Sequence, residues 1–154
     1  MFSLDGKVAL VTGASRGIGK AIAEQLKSLG ATVIGTATSE HGAERISEYL
    51  GEGQGLVLNV TSDESIAAMF ETIKANFGGI DILVNNAGIT RDNLFMRMKD
   101  EEWNDIIDTN LSSVFKISKA VLRPMMKKRD GRIINIGSVV GTMGNAGQVN
   151  YATA

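Results

Sequence analysis

Eight residues near the amino terminus, Thr12-Gly13-Ala14-Ser15-Arg16-Gly17-Ile18-Gly19, have the composition of a phosphate-binding loop. Gly13 permits a sharp turn, Gly17 lets the backbone approach a phosphate closely, and Gly19 allows a helix to pack tightly on the preceding strand. The helix that follows offers free N–H groups and a partial positive charge to a pyrophosphate. The spacing is G-x-x-x-G-x-G, flanked by a strand before and a helix after, which is the context that such a motif requires. The next strand reads Ile34-Gly35-Thr36-Ala37-Thr38 and does not end in an acidic residue. An acid there would bind the adenosine ribose hydroxyls of NAD and repel a 2′-phosphate. With Arg16 in the loop and hydroxyls at Ser15 and Thr38, the pattern favours NADP(H).

Other chemistries have little to draw on. The chain has no cysteine and one histidine, His41, read as a surface residue at a helix start. Thiol catalysis, a disulfide framework, a histidine triad and a metal site are therefore not expected. Of 154 residues, Lys and Arg total 16 and Asp and Glu 17, so the net charge of −1 suggests neither nucleic acid nor an anionic membrane as partner. A hydrophobic content of 44% is that of a globular domain, and no apolar run approaches the ~20 residues of a membrane span. The first residues resemble no export signal, so a cytoplasmic protein is expected.

The loop must be held by regular elements, and the sequence supplies them in alternation. Lys7–Val11 reads as a buried strand. Ile18, Ile22, Leu26 and Leu29 recur at helical spacing, with Gly30 at the C′ position. Thr32–Gly35 reads as a strand, Glu40–Leu50 as a helix and Gly55–Val60 as a strand. Thr61-x-x-Glu64 is a capping-box pattern ahead of a helix over Ile66, Met69, Phe70, Ile73 and Phe77, closed by Gly78. Asp81–Asn85 is a fourth strand. Asp100–Asp108 is a short helix, and Leu111, Val114, Phe115, Ser118, Leu122 and Met125 trace a longer one that Pro124 should kink or end. Arg132–Ile136 is a fifth strand. Alternation of this kind predicts one dinucleotide-binding domain over 1–154: an α/β fold with a Rossmann-type, doubly wound parallel sheet and helices on both faces.

These residues at these spacings resemble the short-chain dehydrogenase/reductase family over the whole chain. The loop TGASRGIG is that family's cofactor loop, which adds Thr12 and Ile18 to the expected NADPH contacts. NNAG, Asn85 to Gly88, stands where the family has the same tetrapeptide beside the cofactor riboses, implicating Asn86, Ala87 and Gly88. Asn59 and Val60 match the family's contacts to the adenine edge. Asn110, Ser138 and Tyr151 fall where its catalytic Asn, Ser and Tyr fall, and Tyr151 is also a cofactor contact.

Within the family, the stretches NNAGITRDNLFMRMKDEEWNDIIDTNLSSVF and GRIINIGSVVGTMGNAGQVNYA resemble the bacterial reductases of 3-oxoacyl-[acyl-carrier-protein] in fatty-acid synthesis; acetoacetyl-CoA reductases share much of the first. The implied reaction is NADPH-linked reduction of the C3 carbonyl of a 3-oxoacyl thioester. Its developing alkoxide needs a proton, which Tyr151 can supply, and a second hydrogen bond, which Ser138 can supply on the substrate. Asn110 would hold a water in a proton relay. The partner implied is an acyl carrier protein, and Arg129, in the basic run Lys127-Lys128-Arg129, matches a position for its docking. A run of cations at a helix C-terminus is also explained by the helix dipole alone.

The resemblance further implies a lysine four residues after Tyr151, a position beyond Ala154, together with two more strands and a homotetramer. The expectation is an N-terminal part of a longer reductase, with residues 1–154 by themselves inactive. The alternatives are an acetoacetyl-CoA reductase or another short-chain alcohol or sugar dehydrogenase, or a non-catalytic nucleotide-binding fragment. Apolar surface at Ile133–Ile136 and along Leu111–Met125 is expected to lie partly uncovered.

Overall fold

The protein's computed structural model describes residues 2–88, 95–137 and 146–153. Five strands form one parallel sheet: β1 (Val8–Val11), β2 (Thr32–Ala37), β3 (Gly55–Val57), β4 (Ile82–Asn85) and β5 (Arg132–Asn135), in the order β3-β2-β1-β4-β5. The chain turns outward from β1 in both directions, so β1 and β4 flank the point where strand order reverses. In a doubly wound sheet, ligands bind in the crevice beyond the carboxyl ends of the strands at that point.

The alternation of side chains along each strand feeds two cores. Leu10, Ile34 and Leu83 face one side, where they pack with helices α3 (Asp63–Phe77) and α5 (Ser113–Lys128) through Ile66, Met69, Ile73, Ile117, Val121 and Met125. Ala9, Val11, Val33, Ile82 and Val84 face the other side, against α1 (Gly17–Ser28) and α2 (Glu40–Leu50) through Ala23, Ile46 and Leu50. The central strands are accordingly almost wholly buried, as a parallel sheet covered on both faces requires. At the edge, β5 is mostly exposed, with Ile134 45% accessible and Ile136, just beyond the strand, 37%.

Element boundaries differ from the expectation in ways the hydrogen bonds explain. β2 runs to Ala37 rather than Gly35, because Gly35, Thr36 and Ala37 pair with Gly55, Leu56 and Val57 of β3. β3 stops at Val57: Leu58 donates a last bond to Ala37, and the chain then turns where the Asn59 side chain accepts from the Thr61 amide. That turn occupies Thr61, so the cap of α3 is Ser62, whose hydroxyl accepts from the Ser65 amide, and not the Thr61–Glu64 box.

The expected pair of helices over 100–125 is instead continuous: α4 (Asp100–Ile106), a π-helical segment (Ile107–Ser112) and α5. Pro124 does not end α5, which continues to Lys128. It stands at an exposed position, where the carbonyl left unpaired one turn back can be solvated. The helical face traced in the sequence is split. Met125 is buried with Ser113, Ile117 and Val121, whereas Leu111, Phe115, Leu122 and Met126 form an exposed apolar stripe. Among the methionines of this region Met125 is in the core, Met96 and Met126 are exposed and Met98 is half-buried.

At the amino ends of the strands an ionic cluster joins elements far apart in sequence. Asp81 accepts from the Val8 amide at 2.8 Å and from Lys128 of α5, and Lys7 pairs with Asp130 at 2.8 Å. Burial alone would push the Asp81 carboxyl up, but the bonds from Lys128 and Val8 hold it below its ordinary value. Among the described residues, no helix is long and apolar enough to cross a membrane.

Candidate active site

The loop between β1 and α1 is built from the buried end of β1. Thr12 is 1% exposed, and its hydroxyl oxygen accepts from the Asn86 and Ala87 amides at 3.0 Å each. The Asn86 side chain returns a bond to the Gly13 carbonyl at 3.0 Å, and the Gly13 amide donates to Thr36 Oγ1 at 3.3 Å. The loops after β1 and β4 and the end of β2 are thereby fixed to one another. Gly13 and Gly17 have φ of +65° and +61°, the left-handed region that glycine enters without cost. Gly19 is required for a different reason: a Cβ there would lie 2.0 Å from the Gly13 oxygen.

The N-terminus of α1 differs from those of its neighbours. α2 is capped by Ser39 and α3 by Ser62, and α4 carries Asp100, Glu101 and Glu102 in its first turn. α1 begins after Arg16, which makes no side-chain cap, and its first turn holds no acid. Its leading amides and dipole are thus available to an anion from outside the chain. Beside it lies a cavity of about 480 Å³ whose walls include Gly13, Ser15, Arg16, Gly17, Thr38 and Val60. No atom lies within 4 Å of where a Gly17 Cβ would stand, so the backbone there is open to a ligand.

A second cavity of about 590 Å³ shares Ile18, Asn86, Ala87 and Gly88 with the first. Its far wall holds Asn110 and Tyr151, with Asn85 and Asn135 at its base. Asn110 lies in the π-helical segment, an irregularity in helical winding that recurs at functional sites. A Cβ on Gly88 would approach the Asn110 side-chain oxygen to 3.2 Å, so the two residues adjoin. Tyr151 is half-buried on α6 (Val149–Thr153), which packs on α4 and the π segment. Its neighbour Asn150 is fully buried, donating to the Glu102 carbonyl at 3.3 Å and accepting from the Tyr151 amide at 2.7 Å.

The other expected site residues are distributed as follows. Ser138 lies outside the described residues. Asn59 is exposed and engaged in the turn with Thr61, whereas its neighbours Leu58 and Val60 line the first cavity. Arg129 is exposed at the end of α5, with φ +56°, where the chain turns toward the amino end of β5. It is therefore a strand length from cavities that lie at the carboxyl ends.

Several residues were not singled out by the sequence. Thr36 supports Gly13, and Asn85 donates to Ser118 Oγ at 3.1 Å and to Asn135 Oδ1 at 2.9 Å, tying β4 to β5 and α5 beneath the second cavity. A polar residue closing an otherwise apolar strand was the available signal. Tyr49, whose hydroxyl donates to the Ala14 carbonyl at 2.5 Å, carried none.

Comparison with known proteins agrees with this geometry. Residues 7–154 match the model of the short chain dehydrogenases. The chain is similar to 3-oxoacyl-[acyl-carrier-protein] reductase FabG of Salmonella typhimurium, 74% identical over 153 residues that make up 99% of this chain and 63% of that protein. The proteins of the same name from Escherichia coli and Vibrio harveyi are 73% and 74% identical over the same shares. The chain therefore spans less than two thirds of the length of these curated relatives.

Proposed function

Because the chain belongs to the short chain dehydrogenase family, we propose that residues 1–154 form part of one dinucleotide-binding domain of an NADPH-dependent oxidoreductase. Its reaction is the reduction of 3-oxoacyl-[acyl-carrier-protein] to the 3-hydroxyacyl form in fatty-acid synthesis. The observation that carries the reading is the pair of adjoining cavities at the switch point, one walled by the uncapped start of α1 and the other by Asn110 and Tyr151. Identity above 70% to reductases of that name supports the substrate class.

The residues present fit a dinucleotide. The open backbone at Gly17 and the close approach of Gly19 to Gly13 leave room for a pyrophosphate where amides are unpaired. Thr12, Gly13, Ser15, Ile18 and Gly19 would shape that loop. Arg16 and Thr38 would take the 2′-phosphate, no acid standing at the end of β2 to repel it, and Asn59 and Val60 would border the adenine. Asn86, Ala87 and Gly88 would carry the ligand from the first cavity into the second.

When bound, NADPH supplies a hydride equivalent for the C3 carbonyl. The chain's own contribution is to orient the carbonyl and to manage the proton. Tyr151 Oη would donate to the carbonyl oxygen as it gains charge, and Ser138 would give it a second hydrogen bond. Asn110 would hold a water through which the proton on Tyr151 is replaced. Arg129 would dock an acidic carrier, and the exposed stripe on α5 would be covered in a homotetramer.

The test follows NADPH absorbance with acetoacetyl thioesters on carrier protein and on coenzyme A, using the full-length reductase of which residues 1–154 are proposed to be part. Turnover preferring the carrier, abolished by Tyr151→Phe with NADPH binding retained, is expected. Turnover confined to alcohols or sugars, or a protein indifferent to NADPH, would overturn the reading. Arg129→Gln should raise KM for the carrier-bound substrate alone; an equal effect on both thioesters would remove Arg129 from docking.

A further inference from the structure

Tyr49 lies in the last turn of α2, 35 residues from the loop it touches. Its hydroxyl donates to the carbonyl oxygen of Ala14 at 2.5 Å, and the Ala14 amide is held from the other side by the Thr36 carbonyl at 2.9 Å. We propose that Tyr49 is a positioning residue for the glycine-rich loop: by holding the Ala14 carbonyl, it aims the Ser15 amide away from α2, as a donor to the pyrophosphate of NADPH. This rests on the reading of the loop as the cofactor's phosphate site.

The argument is one of peptide geometry. No described peptide bond is cis, and in a trans peptide the carbonyl and the following N–H point in opposite directions. Fixing the Ala14 oxygen on Tyr49 therefore fixes the Ser15 N–H on the opposite side, and Ser15 lines the first cavity. Without the hydroxyl, rotation of this one peptide unit can turn an oxygen toward an incoming anion in place of a donor.

The tyrosine is itself well fixed. Its ring packs on the core of α1 and α2, Lys20 from the first turn of α1 lies 5.2 Å over it, and Lys27 donates to its carbonyl at 2.8 Å. Burial, with a smaller contribution from Glu24, pushes the phenol up to about 12, so it remains a donor throughout the neutral range.

The experiment compares wild type and Tyr49→Phe, which keeps the ring and removes only the hydroxyl. Calorimetric titration with NADPH should give a Kd weakened about five- to tenfold, the size of one net hydrogen bond. Adenosine 2′-monophosphate, which lacks the pyrophosphate, should bind both proteins equally, and Tm should fall only by the few degrees that one lost hydrogen bond costs. Equal NADPH affinity would overturn the inference, and so would a parallel loss for both ligands, which is the signature of general loosening. Failure of wild type to bind NADPH would remove the cofactor reading and this inference with it; normal wild-type binding beside an indifferent Tyr49→Phe removes the inference alone.

Discussion

Gly17 and Gly19, two residues apart in the same loop, should fail on substitution for different reasons, and the difference is measurable. At Gly19 an added Cβ would lie 2.0 Å from the Gly13 oxygen, 2.9 Å from its carbon and 2.5 Å from Asn86 Nδ2. An unstrained C···O contact is about 3.3 Å, so the loop must retreat by roughly 1.3 Å. Overpacking of this kind costs about 1–3 kcal/mol, and the retreat also breaks the Asn86–Gly13 bond, worth about 1 kcal/mol. Gly19→Ala should therefore lose about 2–4 kcal/mol, or roughly 4–16 °C in Tm for a chain of this size. The same displacement removes the pyrophosphate cradle, so NADPH affinity should fall at least thirtyfold, the equivalent of about 2 kcal/mol. At Gly17 nothing stands within 4 Å of the added carbon, but φ is +61°. Gly17→Ala should cost about 1–2 kcal/mol of stability through the backbone alone. Gly17→Asn, better tolerated at positive φ, should recover much of that stability while still obstructing the pyrophosphate. Differential scanning calorimetry and NADPH titration on the three variants test both halves. A Gly19→Ala protein that melts and binds like wild type would refute the packing argument.

Thr12→Val deletes the oxygen shared by two half-buried amides and should cost about 1–3 kcal/mol in urea unfolding, while Thr12→Ser, which keeps the oxygen, should recover most of it. Asp81 is held below its ordinary value in the folded state. Its contribution is thus complete above the unfolded carboxylate value near 4 and is lost as pH falls through the lower folded one. Asp81→Asn should lower stability at neutral pH and flatten the acid limb below about pH 4, and an unchanged limb would count against the cluster. Leu111, Phe115, Leu122 and Met126 present an apolar stripe that fits an interface between subunits. Phe115→Lys with Leu122→Lys should shift the sedimentation coefficient toward the monomer without lowering Tm, and an unchanged distribution would exclude this face.

The sequence yielded the architecture because period and punctuation coincided. Alternating buried runs and 3.6-residue patterns located every described strand and the first three helices, and Gly30 and Gly78 closed α1 and α3 as expected, at φ +101° and +86°. It misjudged boundaries wherever pairing in space outweighed local pattern. Gly35-Thr36-Ala37 is a poor strand by propensity but is completed by β3, and Gly55–Val60 is a good one that runs out of partner after Leu58. The π segment was invisible, because a single-turn change of winding leaves no periodicity to read. The apolar residues of α5 were read as one face because 111, 115, 118, 122 and 125 all fit a helical stripe. Only packing distinguishes the buried row through Ile117 and Val121 from the exposed one through Phe115 and Leu122.

The supports of the site have a common origin in the ends of the strands. Thr36 closes toward the end of β2, Thr12 follows β1, Asn85 ends β4 and Asn135 ends β5. Each polar group bonds sideways to the neighbouring strand or its loop: Thr36 to the Gly13 amide, Thr12 to the Asn86 and Ala87 amides, Asn85 to Asn135. The carboxyl edge from β2 to β5 is therefore spanned by hydrogen bonds exactly where the apolar ladder stops and a ligand must enter. Such groups are costly to bury unpaired, so each position depends on its partner's being in place. That dependence explains why the two cavities adjoin. The bonds that stand Thr12 against Asn86 and Ala87 also set the wall the cavities share, so the phosphate loop and the near side of the second cavity are placed by one network, while Tyr151 on the far wall is held through Asn150 and the Glu102 carbonyl. Changes at Thr12 and Asn85 should accordingly be non-additive, unlike changes at sites joined only through the apolar core.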